Sequence, residues 1–382
     1  MPSVYLDNAA TTPVREEVRE AMLPYLYGTF GNPSSPHRWG RAAAKALWEA
    51  RERVAGAIGC LPVEVYFTSG GTEADNLAVV GGCRQLHESE GTPPTVATTV
   101  VEHHAVLDAV RRTAGEGDAA APALELGVTA DGEMEMDRLT EALECGPCMA
   151  SIMWVNNETG MMLPLAEIAG RFAEREGCML HTDAVQAIGK TDLSLRNLAV
   201  DMVSITGHKI YGPKGTGALV VRRGTKVAPL LVGGGQERGL RPGTEDVAGA
   251  VGFSFAVDLA EAEREERCAT VTALRDRLER EIVRRYPGVT VNAVAAARVG
   301  SVTSLHFPDV NTQSIVFGLD MEGIACSGGS ACSSGSSGSH VIDALYPGRG
   351  GASVRFSLGR DTTDDDISLT LEAVERVMAR RS

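Results

Sequence analysis

Three short stretches carry residue types that do chemistry where a fold could present them. Ser204-Ile205-Thr206-Gly207-His208-Lys209 follows the apolar run VDMV and leads into the glycine-rich YGPKGTG. A lysine between a strand and a tight turn can form a Schiff base with an aldehyde cofactor. A solvated surface lysine is commoner, so Lys209 alone does not carry the case. His181-Thr182-Asp183-Ala184-Val185-Gln186 ends the strand-like GCML. An aspartate there can pair with a pyridinium nitrogen, whose protonated ring is an electron sink, or it can simply cap the following AVQAIG. Ser69-Gly70-Gly71-Thr72-Glu73 joins a strand to a helix. The free N–H groups of a helix start suit a phosphate. A plain capped turn is the alternative, and the spacing matches neither the Walker A pattern nor the dinucleotide fingerprint.

A thiol stands elsewhere, at Cys332 in Ser330-Ala331-Cys332-Ser333-Ser334. The thiolate is the attacking species, and a free cysteine has a pKa of about 8.5. Segment Ser327–Ser339 holds seven Ser and four Gly among thirteen residues. Such a loop buries little, which argues against a merely packed, inert cysteine. Cys326, at the end of the strand-like GIAC, reads as packed rather than as a resolving thiol. Cys145-Gly146-Pro147-Cys148 spells a redox CxxC, but it follows the helical DRLTEALE and precedes the strand-like MASIMWV. A redox motif needs the reverse order, and Gly-Pro is a good helix stop, so this reads as a turn. The eight cysteines are irregularly spaced, as free thiols are. His103 and His104 are adjacent in VEHHAVLD; in a strand they would point to opposite faces, so only one could face a given ring. Nothing else has metal-ligand spacing, and no metal is expected.

Elements must bring these residues together. RAAAKALWEARERVAGAIG reads as an amphipathic helix, VEVYFTSGG as a strand entering a glycine turn, and TEADNLAVVGGCRQLHE as a helix. The β-like runs TVATTVVE, MASIMWVNN, GCMLHTDA, VDMVSIT and GALVVRR follow, with DRLTEALE and LAEIAGRFAEREG between several of them. This βαβ rhythm predicts a largely parallel sheet covered on both faces. Ligands of such sheets bind beyond the carboxyl ends of the strands, where Thr72, Asp183 and Lys209 would fall. A helical region from Glu245 to about Arg285 comes next, with a break expected near Arg267. Then come VTVNAV, VTSLHF, the helical TQSIVFGLDMEG, the Gly/Ser loop, SVRFSLG and a last helix from Asp364. The 382 residues are too many for one ordinary core, which predicts two domains. A 43% hydrophobic and 23% charged composition fits a globular chain. The net charge of −14 argues against nucleic acid or an anionic membrane as direct partners. No secretory pattern opens MPSVYLDNAATTPV and no apolar run spans a bilayer, so the expectation is a cytoplasmic protein.

These segments, with the N-terminal YLDNAATTP and the later SGGSACSSG, resemble the cysteine desulfurase family of fold-type I pyridoxal-phosphate enzymes. The resemblance runs from about Tyr5 to Asp365, and GHKIYGPKG, HTDAVQ, RPGTE and RFSLGR are specific in combination. It implies an α/β fold with a large cofactor-binding domain at 15–255, its mostly parallel sheet covered by helices. A smaller α+β domain of 1–14 and 256–382 would carry the cysteine loop. Residue by residue, it implies that Lys209 holds pyridoxal 5′-phosphate covalently, Asp183 pairs with the pyridinium nitrogen, Gln186 pairs with the ring hydroxyl and His103 stacks on the ring. Gly71, Thr72, Thr206 and His208 would bind the phosphate, joined by Thr244 from a neighbouring subunit of a homodimer. Asn157 and Arg355 would hold the substrate carboxylate, with Asn32 of GNPSSPH nearby; a planar guanidinium grips a carboxylate bidentately.

The implied reaction converts L-cysteine to L-alanine, with Lys209 moving the Cα proton and Cys332 taking the sulfur as a persulfide for an acceptor protein. A Gly/Ser tether suits a thiol that must reach into a pocket and then present its sulfur outside. SGGSAC looks like the family's long-loop class with the pattern SGSAC, one glycine standing for the expected serine. The stretch from Cys332 to Arg355 is several residues shorter than in housekeeping members. The chain ends at Ser382, without the longer tail that helps those members dock a scaffold. Iron–sulfur cluster assembly, tRNA modification and DNA thio-modification remain open as destinations. A plain aminotransferase would use Lys209 and Asp183 but not Cys332, and a selenocysteine lyase would differ mainly in substrate. A thiol–disulfide module on Cys145 and Cys148 and an inactive scaffold are the readings from other classes.

Overall fold

Runs rich in apolar and small residues, such as GALVV, form much of one sheet, because only a strand covered on both faces can bury them all. The computed structural model describes residues 3–115, 122–173, 175–196, 198–329 and 338–380. In chain order come β1 (Val4–Tyr5), α1 (Glu16–Tyr27), α2 (Arg38–Ile58), β2 (Val65–Thr68), α3 (Gly71–Glu90), β3 (Thr95–Thr99), α4 (His104–Gly115), β4 (Ala123–Leu126), α5 (Met136–Cys145), β5 (Cys148–Ser151), α6 (Leu165–Phe172), β6 (Cys178–Asp183), β7 (Met202–Thr206) and β8 (Gly217–Val221). The second half adds α7 (Val247–Ala262), α8 (Arg264–Arg285), β9 (Thr290–Val291), β10 (Val302–Phe307), α9 (Thr312–Met321), β11 (Ile324–Ala325), α10 (His340–Leu345), β12 (Ala352–Ser357) and α11 (Asp364–Ala379).

The main sheet has the order β2-β8-β7-β6-β5-β3-β4. Only β8 runs against its neighbours; the remaining pairings are parallel. Its two faces alternate along each strand. Val203, Ile205 and Val220 pack on one side with Val54 and Ile58 of α2 and Phe253 and Val257 of α7. Met202 and Leu219 pack on the other with Leu77 of α3 and Val110 of α4. Helix α2 starts where the His37 ring accepts from the Gly40 N–H (3.2 Å) and stops at Gly59, whose φ of 76° favours glycine. The CxxC segment is a turn, as its sequence order predicts: Cys145 ends α5 and Cys148 opens β5.

A second core draws on both ends of the chain. Val4 and Leu6 join Leu278 and Ile282 of α8, Phe307 of β10, Phe356 of β12 and Val374 of α11. Antiparallel β9, β10 and β12 form its sheet, and β1 pairs in parallel with β11, Val4 opposite Ile324. The helical region breaks at Glu263, not near Arg267 as expected. Arg267 instead caps the helix before the break, its guanidinium donating to the Ala260 carbonyl left open at the end of α7 (2.9 Å). Helix α1, with Pro24 inside it, and the two-residue strand β1 had no readable signal, while β11 falls in the strand-like GIAC.

Candidate active site

The carboxyl ends of β2, β3, β5, β6 and β7 open on one cavity of about 190 Å³. At the end of β7 the chain turns sharply through Gly207. A Cβ at Gly207 would lie 2.8 Å from the Thr216 hydroxyl and 3.0 Å from the Pro213 carbonyl, so only glycine fits. That turn delivers Lys209, whose Nζ donates to the Ala9 and Ala10 carbonyls, each at 2.7 Å. Tyr211 just beyond has φ 65°, a strained value for a side-chain-bearing residue. It is held there by the Thr12 hydroxyl on its N–H (2.7 Å) and by the Arg360 N–H on its own hydroxyl (2.7 Å).

Asp183 ends β6, buried, with Oδ1 accepting from the Val185 N–H at 2.8 Å. Burial raises its pKa, while that N–H and the Lys209 cation pull it back. Gln186, one turn further, donates from Nε2 to the Ala9 carbonyl (2.9 Å). From β2 the chain reaches Gly70, with φ 148°, and then the first turn of α3, where Gly71 and Thr72 line the cavity. A Cβ at Gly71 would sit 2.8 Å from Val185 Cγ2, so the helix start presses directly on the Asp183 turn. Thr206 and His208 line the same wall; the His208 ring meets the Thr11 hydroxyl (3.2 Å), and burial first, then Lys209, lowers its pKa to about 4.

His103 lies in the loop before α4, so the strand alternation expected for the His-His pair does not apply. The helix start separates the two rings instead. His103 lines the cavity, while His104 packs on His340 with ring centroids 4.6 Å apart. Burial, then the Lys209 cation, lowers the His103 pKa to about 4. Its Nδ1 accepts from the Ala105 N–H (3.1 Å), so the neutral ring carries its proton on Nε2.

Arg355 of β12 and Asn157 complete the wall. The Arg355 guanidinium donates to the Asn157 carbonyl and to Asp7 Oδ1, both at 2.8 Å. Arg355 Nε and Asn157 Oδ1 are buried without a hydrogen-bond partner among the described residues. Buried polar atoms of that kind call for a polar ligand.

Asn32 and Thr244 are exposed and do not line this chain's cavity. Cys332 lies outside the described residues. Cys326 packs at the end of β11, where burial pushes its thiol up to about 12. Sequence reasoning passed over Asp75, which lines the cavity, and Glu102 behind it. Both carboxyls are raised by burial, Glu102 to about 8, and Asp183 repels both. It also passed over the Ala9 and Ala10 carbonyls, although YLDNAATTP was a recognisable motif. Burial, rather than spacing, gives these groups their importance.

The class follows from this arrangement: the class-V aminotransferase family profile matches residues 4–369. A curated relative, the cysteine desulfurase IscS of Dictyoglomus turgidum, is 42% identical over 380 residues, 99% of this chain and 95% of the relative. Among solved structures, a NifS-like protein is 31% identical with a TM-score of 0.90, covering 99% of this chain and all of that one. SspA in complex with cysteine is also 31% identical, with a TM-score of 0.80 over 94% of this chain and all of that one. Within the class-V aminotransferases, the chain belongs to the cysteine desulfurase family, with the fold-type I architecture.

Proposed function

We propose that this protein, with pyridoxal 5′-phosphate as cofactor, converts L-cysteine to L-alanine and takes the sulfur onto Cys332 as a persulfide for an acceptor protein. The observation that carries this reading is the convergence of Lys209, Asp183, the start of α3 and an incompletely partnered Arg355 on one cavity. The solved neighbour with cysteine bound supports the substrate.

The residues fit the cofactor. A cavity of about 150 Å³ accommodates benzene, and this one, at about 190 Å³, has room for a substituted ring. Lys209 would hold the aldehyde carbon, Asp183 the ring nitrogen, Gln186 the ring hydroxyl, and His103 one face of the ring. Gly71, Thr72, Thr206 and His208 would hold the phosphate at the start of α3, where N–H groups and dipole favour an anion. Thr244 of the partner subunit would join them in a homodimer. When bound, the cofactor withdraws electrons from the substrate Cα, which makes its hydrogen acidic and the Cβ–S bond labile.

The chain's own residues do the rest. Arg355 binds the substrate carboxylate through the guanidinium N–H left unpartnered, and Asn157 joins it by donating from its side-chain amide nitrogen. The Lys209 amine takes the Cα proton. His103, neutral near pH 7, offers its Nε2–H as a donor. The Cys332 thiolate attacks the substrate sulfur: an S–S bond forms, the Cβ–S bond breaks, and its electron pair stays on carbon, which is then protonated. Alanine and a Cys332 persulfide result, with every atom of cysteine accounted for. The division into 15–255 and 1–14 with 256–382 is part of the same proposal, supported by the separate apolar core that unites the two ends of the chain. A cytoplasmic site is proposed too; among the described residues no helix is long and apolar enough to cross a membrane. The sulfur would go to iron–sulfur cluster assembly or to tRNA or DNA thio-modification.

The test loads the purified chain with pyridoxal phosphate and follows alanine and sulfide formed from L-cysteine under reducing conditions. A yellow protein that forms both in equal amounts is expected. Cys332→Ala should keep the colour and lose sulfide, and Lys209→Ala should lose the normal absorbance. A chain that stays colourless, or full sulfide release by Cys332→Ala, overturns the reading.

A further inference from the structure

Beyond Gln186 lies a lysine that this chemistry leaves unused. The turns after β6, with the Ile188 N–H on the Ala184 carbonyl (3.0 Å) and the Lys190 N–H on the Ala187 carbonyl (2.9 Å), bring residues 186 and 190 to one side. The Lys190 stem is partly exposed, but its ammonium end lies inside the protein. Among the described residues it pairs with no carboxylate; Nζ donates to the Gln186 carboxamide oxygen. Lys209 from the turn after β7, Arg267 and Cys268 from α8, and Arg355 from β12 face it. Burial first, then these three cations, lowers its pKa to about 7. A lysine kept in such surroundings is costly to the fold, which calls for a reason.

The carboxamide supplies one. Its nitrogen donates to the Ala9 carbonyl, which can only accept, and its oxygen accepts from Lys190. A side-chain amide has two orientations that differ by exchanging N and O; here both partners select the same one. Lys190 lines a smaller cavity, of about 40 Å³, on the far side of Lys209 and does not line the larger one. Gln186 itself lines the larger cavity, and with its oxygen held by Lys190 and one N–H by Ala9, the second N–H is the group left for a ligand there.

We propose that Lys190 is a positioning residue: by claiming the Gln186 oxygen it locks the carboxamide with its N–H edge toward the larger cavity, so that Gln186 donates to the oxygen of a bound ring and cannot accept from it. The second half of this rests on the reading of Gln186 as partner of the ring hydroxyl. A donor favours the ionised ring oxygen. The lock therefore lowers the pH at which the loaded protein changes colour.

Two measurements test it. In the cofactor-free protein, hydrogen exchange at the Gln186 side-chain amide reads the lock by itself. Lys190→Met should speed exchange about fivefold to tenfold, the weight of one lost hydrogen bond, and Lys190→Arg should restore protection. Equal exchange in wild type and Lys190→Met overturns the lock. In the loaded protein, Lys190→Met should raise the midpoint of the absorbance titration by about half a pH unit or more, and it should add nothing in a Gln186→Leu background. An equal rise in that background means Lys190 acts by its charge alone, which also overturns the proposal. Protected exchange together with a Gln186→Leu midpoint at the wild-type value would leave the lock standing and remove Gln186 from the ring. Should Lys190→Met fail to fold, Lys190→Ala takes its place in both measurements.

Discussion

Replacing Glu102 by Gln should stabilise the protein at high pH and do nothing at low pH. Glu102 is fully buried, with one oxygen accepting from the Thr99 hydroxyl and the Met153 N–H, both at 2.8 Å. The other oxygen has no partner among the described residues. Burial, with a contribution from Asp183, raises its pKa to about 8, against about 4.3 in the unfolded chain. The folded state therefore keeps a proton that the unfolded state releases. The stability this group contributes is complete below pH 4.3 or so and is lost as the pH rises to about 8. At about 1.4 kcal/mol per pH unit, the loss between pH 5 and pH 8 is about 4 kcal/mol. Glutamine keeps the shape and the acceptor oxygen but does not titrate, so the variant escapes this loss. With an unfolding entropy of about 0.8 kcal/mol/K for a chain of this length, the variant's Tm should exceed the wild type's by about 5 °C at pH 8 and match it at pH 5. Thermal unfolding of both proteins, free of cofactor, across that range is the assay. Parallel Tm-against-pH curves would refute the reasoning, because they would mean that Glu102 is ionised throughout.

Three further outcomes follow from the geometry. Arg355→Lys loses the planar fork that reaches both the Asn157 carbonyl and Asp7; KM for L-cysteine should rise about tenfold to a hundredfold with cofactor absorbance intact, as steady-state kinetics will show. Gly71→Ala places a methyl group 2.8 Å from Val185 Cγ2, and cofactor affinity, measured by equilibrium dialysis, should fall about tenfold or more. Arg51→Met strands the buried Glu237 carboxylate, now paired at 2.5 Å, and should cost about 3–5 kcal/mol in urea unfolding.

Much of the site was legible because its residues sit at strand ends flanked by unmistakable strands. The runs that became β5, β7 and β8 are buried throughout, and such strands announce themselves as uninterrupted apolar stretches. Asp183, Lys209 and the glycines before α3 follow directly from them. What escaped was set by tertiary contact. A strand of two residues, such as β1, has no period to detect. The helix break falls at Glu263, four residues from the expected position, and Arg267 caps the Ala260 carbonyl before it, seven residues away; no spacing rule encodes that. Asp75, Glu102 and Lys190 read as ordinary charged residues until burial makes them unusual. His103 rather than His104 lines the cavity, and the reason is a helix start rather than a strand.

The N-terminal strap has a consequence for biosynthesis. Asp7 meets Arg355 across 348 residues of sequence, and the Ala9 and Ala10 carbonyls fasten Lys209. At about 5–20 residues per second on the ribosome, Asp7 waits roughly 17–70 seconds for the arginine that fixes its place. The nascent chain can build its central sheet before β12 is made, yet its catalytic pocket is finished only once β12 has followed, so competence to capture the cofactor comes later than the sheet that frames it.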